Sequence, residues 1–383
     1  MRITYLLFLF IIIPRVEAQT STLVLADSLF AIGNYQKAIQ LYKNQATISA
    51  TVYQKIASAE KTRGNLTQAL SAYKKAIAQE PNLLIAKANY GKLLRQTYQY
   101  KKADSVYTEL IQKHPKNPDF HYQMGIVKQR LKDTTAVHYF QKTIQLDSFH
   151  QNALYYLAKH FYTKKNFSKT EKLTQKVLQK NNLNLKINLL SAQNAYTQKH
   201  YKTAVKRYLN VLNLGYKSAT VYEKLGAACY QESQIKKAIG FYQKAIRLDP
   251  QKASAHASLG KLYLLHEKPK KAEEHLLLAL LLSKPQLDEL YQSLGLTYKL
   301  QKDYKKALPY FKLALEENPN KIRSQFELAV AADNYYAELD TRLSYYKLFL
   351  NKFELNSKAT YYTSLAKRRI SDIKQEKHLG KGK

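Results

Sequence analysis

Residues 219–250 read ATVYEKLGAACYQESQIKKAIGFYQKAIRLDP, and two short amphipathic helices in series account for them. Tyr222, Leu225, Gly226 and Cys229 recur at helical spacing and so share one face of a first helix. The polar run Gln231-Glu232-Ser233-Gln234 makes a turn. Ala238, Tyr242 and Ala245 then share one face of a second helix, and Pro250 prevents its continuation. A glycine costs an exposed helix about 1 kcal/mol relative to alanine. Gly226, with Ala238 on the other helix, therefore predicts a hairpin whose helices approach closely at that point.

Working outward, the same hairpin recurs. Ala204, Ala238 and Ala272 are equally spaced, and the step from Ala69 to Ala103 is the same. The first helices repeat a Leu-Gly pair at Leu225-Gly226, Leu259-Gly260 and Leu294-Gly295. The second helices repeat alanine followed one helical turn later by an aromatic, as in Ala69/Tyr73, Ala103/Tyr107 and Ala307/Phe311, and Pro81, Pro115 and Pro319 close units. The fourth unit, with Met124, Gly125, Ala136 and Phe140, is one residue short near Lys132-Asp133-Thr134. The fifth has Thr170 where alanine is usual, and the tenth has Thr341 in that place.

These residues resemble the tetratricopeptide repeat, from Gln19 to about Glu354. The resemblance implies an all-α fold: an α-solenoid of about ten helix-turn-helix repeats forming a right-handed superhelix, with first helices on its inner wall and second helices outside. Each unit then contacts mainly its neighbours. No stretch reads as a linker, so residues 19–355 are expected to form one continuous array. Within 356–383, Ser357 to about Lys377 reads as a more polar capping helix, and His378 to Lys383 as a disordered basic tail.

Met1 to Ala18 reads as a secretory signal peptide. Arg2 supplies the positive start, Ile3 to Ile13 the apolar core, and Val16-Glu17-Ala18 the small residues before cleavage at Gln19. The other reading of this segment is an uncleaved membrane anchor. Cleavage predicts an exported chain, periplasmic or associated with the cell envelope. Leu276 to Leu282 is too short to span a bilayer, so no membrane insertion of the mature chain is expected. The formal net charge is +34, and loss of two arginines and one glutamate with the signal leaves +33. Either an acidic partner or polyanion, or a merely solvated lysine-rich surface, accounts for that charge. Apolar residues make up 45% of the chain, enough to exclude global disorder. The one cysteine, Cys229, cannot form an internal disulfide and reads as a buried core residue.

No phosphate loop, no His-Glu-x-x-His and no metal-ligand spacing is found, so no cofactor and no catalytic residue is assigned. The expected function is a non-enzymatic scaffold holding a protein or peptide, acidic stretches included; polyanion binding is the alternative. The resemblance places ligand contacts on the first helices. On that mapping Tyr162, Tyr196 and Tyr230 are separated by the repeat step itself, one ring per unit. Lys92, Arg95, Arg130 and Lys159 lie on comparable faces upstream and Lys261 downstream. Two readings of the tyrosines stand: a ladder for an extended peptide, or packing between adjacent helices. Asn89 matches one position of the family's five-residue carboxylate clamp, but Ile85, Asp119 and Gln123 do not match, so that clamp is not expected. Lysine pairs open second helices at Lys101-Lys102, Lys236-Lys237, Lys270-Lys271 and Lys305-Lys306, against the helix dipole.

Overall fold

A computed structural model describes residues 16–283 and 287–380. Twenty-one α-helices and one 3-10 turn, without a strand, make up the described residues. They form two compact units, up to Val177 and from Leu178.

The first unit holds five hairpins: α1 (Val16–Ala31) with α2 (Tyr35–Lys43), α3 (Ala50–Thr62) with α4 (Leu66–Gln79), α5 (Leu84–Gln96) with α6 (Tyr100–Lys113), α7 (Pro118–Arg130) with α8 (Ala136–Leu146), and α9 (Gln151–Thr163) with α10 (Phe167–Leu178). The segment read as a signal lies outside the described residues up to residue 15, and α1 starts at Val16, before the expected cleavage point. The second unit holds five more: α11 (Leu185–Thr197) with α12 (Tyr201–Asn213), α13 (Ala219–Gln231) with α14 (Ile235–Leu248), α15 (Ala253–Leu265) with α16 (Pro269–Leu282), α17 (Asp288–Leu300) with α18 (Tyr304–Glu317), and α19 (Ile322–Tyr335) with α20 (Leu339–Phe353). A 3-10 turn (Ser357–Ala359) leads into α21 (Thr360–Gly380). This helix runs past Lys377, so the stretch read as a disordered tail is helical up to Gly380; residues 381–383 lie outside the described ones.

Small residues set the hairpins. Ala38, Ala69, Ala103, Ala204, Ala238, Ala272 and Ala307 have no exposed surface. A Cβ placed on Gly226 would lie 3.2 Å from the Tyr242 ring and 3.3 Å from the Ala238 carbonyl oxygen, the close approach expected of that pair. At Gly295 the same atom would lie 2.6 Å from Phe311 Cε1. Large residues on second helices also stitch successive hairpins. The buried Tyr73 and Tyr242 reach Asn89 of α5 and Ser258 of α15 through their hydroxyls. Burial pushes the Tyr242 hydroxyl up to about 12, which Ser258 only partly offsets. Cys229 is wholly buried.

One turn joins the helices of the first nine hairpins. A residue with positive φ falls two places after the first helix: Gly33, Gly64, Tyr98, Lys132, Lys165, Lys199, Ser233, Glu267 and Lys302. The next N–H then donates to a carbonyl one residue further back than a helix would use, as from Gln234 to Cys229 (2.8 Å) and from His200 to Ala195 (3.0 Å). This is the Schellman closure, which satisfies carbonyls that a helix end leaves open. Seven of the nine positions are not glycine, so these turns hold side chains where L-residues are disfavoured. The tenth hairpin dispenses with the turn: Tyr336 is extended, at φ −87° and ψ 135°.

The short fourth unit is resolved in the turn region. Lys132 keeps its left-handed place, and Asp133 and Thr135 form a tight turn in which the Asp133 carboxylate accepts from the Thr135 N–H (2.9 Å) and hydroxyl (2.8 Å). Helix α8 loses its first turn and has 11 residues, against 14 in α6, so that Ala136 and Phe140 still reach the core. The fifth hairpin is the exception to the apolar core. Helix α10 buries Thr170 and Thr174, with Val177 as its buried apolar residue. The Thr170 hydroxyl donates to Asn166 O (2.9 Å) and reaches Ala158 O of α9 at 3.4 Å. The boundary between the two units falls at the end of this helix, between Val177 and Leu178.

The second unit ends on an ionic latch. Asp333 of α19, nearly buried, accepts from Arg342 Nε of α20 (2.6 Å) and Arg369 Nε of α21 (2.7 Å), and from the Tyr346 hydroxyl (3.2 Å). Glu376 closes the circuit on Arg369 (3.0 Å) and Arg342 (3.5 Å). Ala359, Ala366 and Ile373 are buried against a cluster with Phe326, Phe349 and Phe353.

Candidate binding groove

A groove of about 570 Å³ opens in the second unit across the first helices α13, α15, α17 and α19. Tyr242 of α14 reaches it past Gly226, which has no side chain to block the ring. Its apolar strip comprises Tyr230, Leu264, Leu265, Leu296 and Leu300. Three of these are exposed: Leu265 at 62%, Leu300 at 41% and Tyr230 at 38%.

The polar part of the lining is paired from helix to helix. Lys261 of α15 meets Glu289 of α17 at 3.3 Å, and Lys299 of α17 meets Glu327 of α19 at 2.5 Å. Arg323 stands 3.9 Å from Glu327. Lys321 also binds Glu289, and Asp288 at 2.7 Å. The Lys321 ammonium holds both carboxyls below their ordinary values against the opposing effect of burial. Gln292 is buried beneath, and its Oε1 accepts from the Ser324 hydroxyl (3.0 Å). The groove therefore offers little net charge. It offers exposed leucines and a tyrosine beside ion pairs that already satisfy each other.

Of the residues picked from sequence, Tyr230 and Lys261 meet in this groove. Tyr196 of α11 packs edge-on to Tyr201 (5.7 Å between centroids), with Lys224 Nζ 4.9 Å above its ring. The other five belong to the first unit. Tyr162 packs on Phe167 at 6.0 Å. Lys92 pairs with Asp119 of α7 at 3.1 Å. Arg95 is half-buried, and its Nε has no hydrogen-bond partner. Arg130 and Lys159 are exposed. Sequence reasoning missed Glu289, Lys299 and Glu327. Their signal was a second, shorter spacing, shared by Lys261/Glu289 and Lys299/Glu327. Among the described residues no cluster of three or more histidine, cysteine or carboxylate side chains could hold a metal, and no helix is long and apolar enough to cross a membrane.

Three stretches match family models: residues 226–266 the TPR repeat, and residues 289–321 and 50–83 the tetratricopeptide repeat. The chain is a tetratricopeptide repeat protein. Among solved structures it is similar to the C-terminal part of a TPR repeat-containing protein from Cytophaga hutchinsonii, at 17% identity and TM-score 0.51, over 58% of this chain and 88% of that one. It is also similar to YrrB, described as a TPR protein with an unusual peptide-binding site (17% identity, TM-score 0.45, 48% and 95% of the two chains). MamA shares 26% identity at TM-score 0.42, over 45% and 94%. No curated protein matches the chain in sequence.

Proposed function

We propose that the protein is an exported, non-enzymatic scaffold that holds an extended peptide segment of a partner protein in the groove of its second unit. The tetratricopeptide fold is that of an interaction scaffold. One observation carries the finer reading: exposed Tyr230, Leu265 and Leu300 line an open groove whose cations are already neutralised. Apolar side chains of a partner gain by covering that strip. An acidic segment gains less, because it must displace Glu289 or Glu327 from its lysine. The favoured partner segment is thus apolar and of mixed charge.

Panning a random-peptide phage library against the immobilised full chain tests this. Recovered peptides should be rich in leucine and aromatics and indifferent to salt, and Leu265→Glu with Leu300→Glu should weaken them at least about 10-fold. Acidic, salt-sensitive peptides that bind the variant equally would overturn it.

Export rests on Arg2, the apolar run Ile3 to Ile13 and the small residues at Val16 and Ala18, and suits a cell-envelope or secretion-linked assembly. Mass spectrometry of the protein made in a bacterial host should find an N-terminus at Gln19. An intact Met1 on membrane-bound protein would show an anchor instead.

A further inference from the structure

We infer that the outer face of the second unit docks on an anionic lipid surface, through leucines of α16 set among unpaired cations. Leu277, Leu278 and Leu281 lie on one side of α16 and are exposed at 38%, 37% and 80%. The core of that hairpin takes Ala272, Leu276 and Ala279 from the opposite side. The equivalent positions of α14, one repeat earlier, hold Gln243, Lys244 and Arg247, all exposed and polar. Leucine is therefore not required there by the hairpin.

The surrounding charge selects the occupant. Helices α12 and α14 contain no aspartate or glutamate. Lys236, Lys237, Lys244 and Arg247 of α14 and Lys270 and Lys271 of α16 are exposed, and none takes part in an ion pair among the described residues. Lys244 lies over the Phe241 and Tyr222 rings and Lys271 over Tyr263, contacts that leave the charge uncompensated. The opposing carboxylates are few. Glu274 shares the leucine face, and Glu316 and Glu317 end α18, whereas Glu273 is occupied by Tyr298 (2.9 Å) and Gln301 (2.9 Å) of α17. A second copy of this face would set cations against cations. A linear polyanion would satisfy the lysines and leave the leucines in water. Anionic headgroups over a hydrocarbon boundary satisfy both. The groove lies on the first helices, so this docking is independent of the peptide reading.

The test is co-sedimentation of the full chain with phosphatidylcholine vesicles, with and without about 30 mol% phosphatidylglycerol. Binding should be at least about 10-fold stronger to the anionic vesicles and should fall with salt. Leu277→Ser, Leu278→Ser and Leu281→Ser together should reduce it at least about 10-fold, and Leu281→Ser alone, at a side chain 80% exposed, should weaken it with an unchanged melting midpoint. Lys236→Glu with Lys270→Glu should do the same. No vesicle binding overturns the inference. So does a leucine variant that binds like the parent, which is adsorption by charge alone, or one whose only effect is to dissociate a dimer on size-exclusion chromatography.

Discussion

Replacing Asp333 with alanine is expected to free α21 and to lower the stability of the second unit by about 2–3 kcal/mol. Asp333 is 7% exposed as a side chain and is shared by Arg342 and Arg369, which are 15% and 32% exposed. Removing one partner of a buried ion pair costs about 3–5 kcal/mol because charge is left without compensation. Arg369 retains solvent and Glu376, which reduces the cost. The pH dependence has a definite sign. Burial would raise the Asp333 carboxyl, but the two guanidinium groups outweigh it and hold the carboxyl below its ordinary value. A depressed carboxyl stabilises the fold fully above the ordinary carboxylate range, and that contribution is lost as pH falls through the folded value. Urea denaturation at neutral pH gives the size of the effect. Limited trypsin cleavage gives its location, since Lys367 and Arg368 sit in α21 and should be cut first in the variant. An intact α21 in a variant as stable as the parent would show that Ala359, Ala366 and Ile373 hold the helix unaided.

Gly295→Ala is expected to destabilise by up to about 2 kcal/mol although alanine is the better helix former. Propensity favours the change by about 1 kcal/mol. Against it, the new Cβ would sit 2.6 and 2.7 Å from Phe311 Cε1 and Cδ1, and Phe311 is wholly buried with no free side to retreat to. Overpacking of this kind costs about 1–3 kcal/mol, so the clash prevails. Gly240→Ala is the control: nothing lies within 4 Å of its Cβ position, and stability should rise by up to about 1 kcal/mol. Adding Phe311→Leu to Gly295→Ala should recover part of the loss. If Gly295→Ala and Gly240→Ala shift the urea midpoint in the same direction, the contact across the hairpin does not limit stability.

The hairpins were legible because their signal is local and repeated. Gly226 and Ala238 face each other as their spacing predicts, and the missing residue of the fourth unit lies in the turn where the sequence placed it. The capping latch was not legible, because Asp333, Arg342 and Arg369 meet only after three helices pack, in a unit read mainly for its lost alanine. The groove was half legible. Counting by the repeat length finds equivalent residues such as Tyr196 and Tyr230. A cation, however, meets a carboxylate of the next first helix at a shorter interval, a register set by packing. Lys261 therefore reads as a free cation in sequence and is paired in the fold.

The fourth hairpin shows how such an architecture tolerates copying errors. The left-handed residues of successive turns are a full repeat apart from Tyr98 to Lys132, one place closer from Lys132 to Lys165, and a full repeat apart again at Lys199. A one-residue slip in a β-ladder would invert every side chain beyond it. Here the lost residue shortens α8 by one turn, and α9 starts afresh in phase, so a length change in the gene is confined to the unit in which it arises.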